Sequence, residues 1–426
     1  MSGRIAVTTI VRGAGLDAPS GWLRVLSTDG WEELAKAPLP DAVHRASDRN
    51  PRGGLRGGRG IASTPDALAV ALNDRVLVLD RDWRPARVLS HPWMGGVHDV
   101  AADAGGVWVT CADNDLLLRL DWDGRLAGHW HWRADRAFRR ELGFGWLPPM
   151  DRSFDHRNPL DRGLRADLGH VNAVALDGDA VLVGLGLVRA HMPLRWPYLR
   201  ERGTRLAHRA GLGTAADAAI RLWRRSPFPR IQARFAPPVD LTLVTPGARA
   251  IDIGGPGEPG WTWVVAELRR EASGGVRPRV MARHEAGAVP AHNVASADAW
   301  VVVNESSRGR VVALDRESGA IVRAVRLPGD YPFPRGLLRL ADGRFLVGTK
   351  SPATLAVVDL AGERVDELVA LPDDRDEAPY SIGFVPDSFG DPGQLPASRA
   401  EWGIEGADAS RAPFAGGCRA RGYGLT

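Results

Sequence analysis

Six short apolar segments of this 426-residue chain share one register, and the residue two places before the central apolar position of each is polar. Aligned on Ile61, Val100, Val174, Val294, Leu337 and Ile382, those residues are Arg59, His98, Asn172, His292, Arg335 and Tyr380. His170 stands two residues before Asn172 and shares its face, because side chains on a strand alternate with period two. Three imidazoles converging on one axis suit a metal with an open coordination position. His98, His170 and His292 are therefore expected to hold one divalent transition metal: zinc, iron or copper. Arg59 and Arg335 cannot lose their protons and suit an anionic substrate group. Tyr380 and Glu305 are placed as acid or base, with Glu305 also eligible as a fourth ligand. Asn172, Asn304 and Lys350 are placed around the same mouth as substrate contacts.

Each of these residues also has a structural reading. A histidine at the start of a strand can fix a turn. Arg59 and Arg335 each precede a glycine and could tie neighbouring sheets together, and Tyr380 could simply pack. Glu305 and Lys350 could be solvated loop charges. His91, His156, His191 and His208 fall in loops. Cys111 ends an apolar strand and reads as inert core, while Trp108, Trp263 and Trp300 read as packing.

The positioning elements are short strands separated by turn signals. Pro290–Leu327 holds four of them, and the same four-strand unit recurs along the chain, the signature of a repeat architecture. Five units are complete. Gly60–Ser90, His98–Trp132, His292–Leu327 and Arg335–Leu371 each hold four strands. The fifth opens at His170–Leu185 and resumes at Trp261–His284 after an interruption. Tyr380–Val385 is a lone strand, and the N-terminus offers up to three more: Arg4–Val11, Trp22–Ser27 and Trp31–Ala37. Joining them gives a sixth sheet and closes a ring, which is how a β-propeller hides its edge strands. The fold expected is all-β, a six-bladed propeller, or seven-bladed if Leu241–Ile253 forms strands of its own. One domain spans 1–426, with an irregular tail at 387–426. In this topology the first strand of each blade lines the channel, and the loop between second and third strands opens at the same mouth. Two long insertions land there, Arg133–Gly169 and Val188–Gly260, the second with a short helix near Ala215–Arg224. They read as a lid, with Trp146, Trp196 and Tyr198 available to grip a substrate.

The totals exclude several classes. The chain is 44% hydrophobic and 25% charged, with a formal charge of +4 and only two lysines, Lys36 and Lys350. Basic and acidic residues are interspersed, so no nucleic-acid partner is expected. No stretch is long and apolar enough to span a membrane, and the N-terminus lacks a secretory core, so no membrane partner and a cytoplasmic location are expected. Two cysteines are too few for a disulfide framework.

The set of three channel histidines with an arginine and a tyrosine on six blades resembles peptidyl-hydroxyglycine amidating lyase, a propeller whose three histidines hold zinc. That resemblance implies His98, His170 and His292 as ligands, with Arg59 or Arg335 and Tyr380 as polar partners. It is one of arrangement, and the long insertions and missing secretion signal depart from it. The segments GHVNAVAL, PAHNVASADAWVVVNES and PRGLLRLADGRFLVGTKS also resemble an uncharacterised bacterial propeller family over roughly Val97–Pro386, which implies the fold and no activity. The function expected is a metal-dependent enzyme, with lyase, hydrolase or oxidative chemistry, acting on a small anionic molecule or a peptide. The alternative is a non-catalytic scaffold that binds a peptide or protein partner at the same face.

Overall fold

The computed structural model describes residues 3–47, 57–147, 149–150, 152–158, 167–188, 211–212, 215, 218, 261–270, 276–287, 289–371 and 377–404. The strands, in chain order, are β1 Arg4–Val11, β2 Trp22–Ser27, β3 Glu33–Pro38, β4 Ile61–Thr64, β5 Ala67–Ala71, β6 Val76–Leu79, β7 Pro85–Leu89, β8 Val97–Asp103, β9 Gly106–Cys111, β10 Leu116–Leu120 and β11 Leu126–His131. After helix α1 (Arg136–Glu141) come β12 Val171–Asp177, β13 Ala180–Val188, β14 Thr262–Arg270, β15 Val276–Glu285, β16 His292–Ser296, β17 Trp300–Glu305, β18 Arg310–Asp315, β19 Ile321–Arg326, β20 Arg335–Arg339, β21 Phe345–Lys350, β22 Ala353–Asp359, β23 Arg364–Ala370 and β24 Glu377–Phe384.

These strands make six four-stranded antiparallel sheets, the blades of a six-bladed propeller. Blades 1 to 5 are β4–β7, β8–β11, β12–β15, β16–β19 and β20–β23. Blade 6 has the order β24-β1-β2-β3, so the last strand of the chain pairs with the first. The expected closure by N-terminal strands is thus observed. Leu241–Ile253, on which a seventh blade would depend, lies outside the described residues, as do Trp196, Tyr198 and most of Ala215–Arg224.

Middle strands are apolar on both faces because each blade is packed between two others. β6 (VLVL) and β9 (GVWVTC) are buried throughout. Outer strands such as β23 (RVDELVA) alternate, with one face in solvent. Every seam between blades carries its own apolar cluster, Val78 with Val100 and Val109 between blades 1 and 2, for example, and Leu346 with Ile5 and Ile382 between blades 5 and 6.

Around the channel the seams are pinned by side chains that accept from the next blade's backbone. Ser381 Oγ of blade 6 accepts from Ile61 N of blade 1 at 3.1 Å. Asp99 Oδ2 of blade 2 accepts from Val174 N of blade 3 at 3.3 Å, and Asn293 Oδ1 of blade 4 from Gly336 N of blade 5 at 2.8 Å. At the intervening seam between blades 1 and 2 the strands approach more closely. A Cβ on Gly60 would lie 2.5 Å from Val100 N and 2.7 Å from Asp99 Cα, so only glycine fits there.

Two segments outside the blades buttress the ring. Asp135 caps α1, accepting from Phe138 N at 2.9 Å, and the helix buries Phe138 against blade 3. Glu141 accepts from Val280 N of the outer strand β15. The opening part of the first insertion thus lies along the outer rim, and a helix stands where a loop was expected. The tail after β24 forms no strand among the described residues, but buries Phe389, Trp402 and Ile404 in the seam between blades 6 and 1. The Trp402 indole donates to Pro38 O at 2.7 Å.

Candidate functional site

First strands are kinked where the site lies. Pairing registers shift between Val97 and Val100, Val171 and Ala173, His292 and Val294, and Arg335 and Leu337. A bulge near the start of the first strand in four consecutive blades re-aims the side chains there: it includes His98 in blade 2 and Asn172 in blade 3, and follows directly on His292 and Arg335 in blades 4 and 5. His170 reaches the same place from the residue before β12, in a left-handed conformation (φ 50°) that a non-glycine residue adopts only when its surroundings impose it.

The three imidazoles meet. Ring centroids are 4.8 Å apart for His98 and His170, 6.2 Å for His170 and His292, and 6.5 Å for His98 and His292. Each Nδ1 is engaged. His98 Nδ1 donates to Gly96 O at 2.8 Å, and His170 Nδ1 to Asp167 Oδ2 at 2.8 Å. Ser306 Oγ gives its proton to Pro334 O, so it must accept from His292 Nδ1, each bond 2.8 Å long. These partners place a proton on Nδ1 of all three rings, and in His98 and His292, which are neutral, they leave the lone pair on Nε2. Burial, the other imidazoles and the guanidiniums of Arg59, Arg335 and Arg12 hold His98 and His292 well below the ordinary histidine range, so both rings are neutral.

Blades 5, 6 and 1 supply the other half of the mouth, where cations alternate with aromatic rings. Tyr380 lies between two guanidiniums, Arg59 at 4.8 Å and Arg335 at 4.4 Å from its centroid. The Tyr380 ring is 6.0 Å from that of His98. Its hydroxyl is buried without a well-formed hydrogen bond among the described residues. The Arg335 guanidinium faces it and acts on it at close range. Phe333 is likewise shared, by Arg335 at 5.1 Å and by Arg12 at 6.0 Å. Arg59 donates to Asn73 Oδ1 at 2.8 Å. Arg335 donates through Nη2 to His292 Nε2 at 2.7 Å, its Nε is buried without a partner, and no carboxylate pairs with it among the described residues. Desolvation and the two neighbouring arginines pull its pKa down, against the opposing influence of Tyr380.

The donor set answers the metal question in two parts. All three tautomers are right, since a metal-bound histidine usually donates its second nitrogen to a carboxylate, carbonyl or similar acceptor. The positions are not right. His292 Nε2 already accepts from Arg335, and the rings of His98 and His292 are nearly parallel, 10° apart. Among the described residues no group of three or more His, Cys, Asp or Glu side chains is arranged to hold a metal ion.

Other expected contacts go elsewhere. Asn172 donates to Ala291 O at 2.6 Å, across the seam to blade 4. Asn304 donates to Gly336 O at 3.0 Å, across the seam to blade 5. Glu305 is fully buried. Its carboxylate is taken by Arg310, by Arg308 at 3.0 Å and by the Trp263 indole at 3.3 Å, so it is a structural ion pair rather than an acid, base or ligand at the imidazoles. Lys350 lies over Tyr331, 4.9 Å from its ring, and Tyr331 is 5.3 Å from Phe333. It therefore extends the cation–aromatic half outward. Trp146 is 53% exposed. Arg12, Asp167, Ser306 and Phe333 are site residues that strand register could not show. Arg12 arrives because β1 crosses the chain's full length to join β24, and Asp167 and Ser306 act on histidines from loops.

No protein-family model matches the chain, and no curated protein matches it. Solved structures do. A protein of unknown function from Bacteroides caccae aligns over 90% of this chain and 99% of its own, at 11% identity and a TM-score of 0.45. A nidogen/laminin complex aligns over 89% and 97%, at 7% and 0.47. Streptogramin B lyase aligns over 74% and 70%, at 9% and 0.39. At these identities and TM-scores the alignments carry no argument about this chain's activity or partners. No described helix is long and apolar enough to cross a membrane.

Proposed function

We propose that this propeller is an enzyme acting on a small anionic molecule at the mouth of its channel. The two halves of the mouth divide the work. Arg335 and Arg59 hold the anionic group, and the neutral imidazole of His98, with His170 beside it, offers its Nε2 lone pair to take a proton from the bound molecule. Tyr380, whose hydroxyl is buried beside Arg335, returns one. This is general acid–base chemistry of the lyase or hydrolase kind. The observation that carries the reading is Arg335, a largely enclosed guanidinium with no carboxylate among the described residues and only a neutral imidazole to donate to. An enclosed charge without a counter-charge is costly unless a ligand supplies it. The test is calorimetric titration of the full-length protein and its Arg335→Gln variant with acetate, benzoate and inorganic phosphate. Saturable binding of any of them, lost in the variant, supports the reading. Absence of binding in the parent would overturn it.

A second reading, favoured by the three Nδ1–H tautomers, places a zinc, iron or copper ion among His98, His170 and His292. The ion would supply Lewis-acid or oxidative chemistry. It requires Arg335 to leave His292 Nε2. Elemental analysis of the parent beside a His98→Ala/His170→Ala variant decides it. Near-stoichiometric metal that the variant loses supports the ion, and equal low metal in both after incubation with each ion removes it.

A further inference from the structure

The cation–aromatic half of the mouth does not stop at the imidazoles. From Arg335 it passes to Phe333 (5.1 Å), to Tyr331 (5.3 Å between rings) and to Lys350 (4.9 Å), with Arg12 over Phe333 at 6.0 Å. We propose that the substrate carries a second anionic group, seated at the outer end of this ledge by Lys350, with an apolar or planar body reaching past Tyr331 and Phe333 to the first anionic group at Arg335, beside which Arg12 stands. The inference rests on the anion-binding reading above and narrows it to dianions.

The ledge is built to stand still. Phe333 sits between Pro332 and Pro334, whose rings fix their own backbone angles, and takes a left-handed conformation itself (φ 38°). A strained aromatic residue persists only where its surroundings hold it. Here Pro334 O accepts from Ser306, which also holds His292. The outer end is fixed as well. Lys350 N donates to Pro332 O at 2.7 Å, and Tyr331 bridges Ser351. The ledge and the imidazoles thus form one frame. Phe333 lies 5.4 Å from the His292 ring, so a body stacked on the ledge leads directly to the acid–base groups. Cations at both ends with ring faces between them match a molecule anionic at both ends. One of the chain's two lysines stands at this place.

The experiment compares monocarboxylates (propionate, benzoate) with dicarboxylates (succinate, adipate, terephthalate) by calorimetry on the full-length protein. It is repeated on Lys350→Gln, Arg12→Gln and Arg335→Gln, with unliganded thermal midpoints as a folding control. The best-fitting dicarboxylate should bind at least roughly tenfold more tightly than any monocarboxylate, the usual effect of one more charged hydrogen bond. Lys350→Gln should bring it down to the monocarboxylate level and leave monocarboxylates as they were, Arg12→Gln should weaken both series alike, and Arg335→Gln should abolish both. Equal affinity for the two series, or an equal loss of both in Lys350→Gln, would overturn the second anionic seat and leave the first standing. No binding by either series would remove the anion-binding reading, and this inference with it.

Discussion

His292 is held at both ring nitrogens, by Ser306 at Nδ1 and by Arg335 at Nε2, and so is frozen in one tautomer and one orientation. Replacing Ser306 by alanine strands a buried N–H, which costs about 1–3 kcal/mol. It also frees the ring to turn, so Ser306→Ala should weaken anion binding as well as lower the unfolding midpoint. An effect on the midpoint alone would show Ser306 to be merely structural. His98 and His292 are held neutral by burial first and by neighbouring positive charges second. A base kept neutral to low pH gives an acid limb of kcat/KM well below the ordinary histidine range. In unliganded Arg335→Gln the His98 titration, followed by NMR, should move upward from its value in the parent, because a positive charge that suppressed protonation is gone. A limb at the ordinary histidine value in the parent would remove His98 from the role of base.

Strands and their seams decide how rigidly those residues are presented. Asp99, next to His98, bridges blade 2 to blade 3 by accepting from Val174 N, and burial raises its carboxyl to about 7 from 3.8. A carboxyl whose folded pKa is raised contributes stability that is full below the unfolded value. That stability is lost as pH rises through the folded one. Between 3.8 and about 7 the seam should therefore weaken as pH rises, and Asp99→Asn should flatten that dependence. Thermal midpoints measured from pH 4 to 8 check it, and parallel curves for parent and variant would refute it. Gly60→Ala on the neighbouring seam would drive a Cβ into backbone that cannot yield, at a cost of about 1–3 kcal/mol. Much of this level was legible in the sequence. The period-two pattern and turn residues located the strands of all six blades, and the shared register of His98, His292, Arg335 and Tyr380 located the mouth. The failures have physical causes. Asn172 has the right type at the right register, and Asn304 and Glu305 lead into the loop between second and third strands that opens at the mouth. Yet alternation says only which face a residue takes, while a bulge or a seam partner decides whether it meets the channel or the next blade. Helix α1 was hidden because its six residues are too short to show a helical period.

The ring as a whole depends on one junction between sequence-distant ends, β24 against β1, and a buried ion network marks it. Arg24 of β2 is fully buried. It pairs with Glu377 at the start of β24 through two 2.8 Å bonds and with Glu33 of β3, while Lys36 approaches Glu377 at 3.4 Å. The hydrogen bond and charge of Arg24 outweigh burial and hold Glu377 below the usual carboxylate range. A depressed carboxylate contributes stability present above its unfolded pKa of 4.5 and lost as pH falls through the lower folded value. Closure should accordingly be the acid-sensitive part of the molecule, just as the Asp99 seam is the part sensitive to rising pH. Glu377→Gln removes one partner and leaves a buried guanidinium short of charge, a loss of about 3–5 kcal/mol. Replacing Arg24 and Glu377 together by Met and Leu deletes both charges and should recover most of that loss, since apolar pairs often match buried ion pairs. Chemical denaturation of the three proteins at pH 7 separates the cases. If the network serves only as a surface decoration of the blade, all three will unfold alike. If it joins the ends, Glu377→Gln will fall furthest, and its amide protons in β1 and β24 will exchange ahead of those in β9 and β13. Arg12 lies immediately beyond β1, so the same opening would draw a guanidinium from the mouth. Anion affinity in Glu377→Gln should therefore fall even though the substitution touches no site residue.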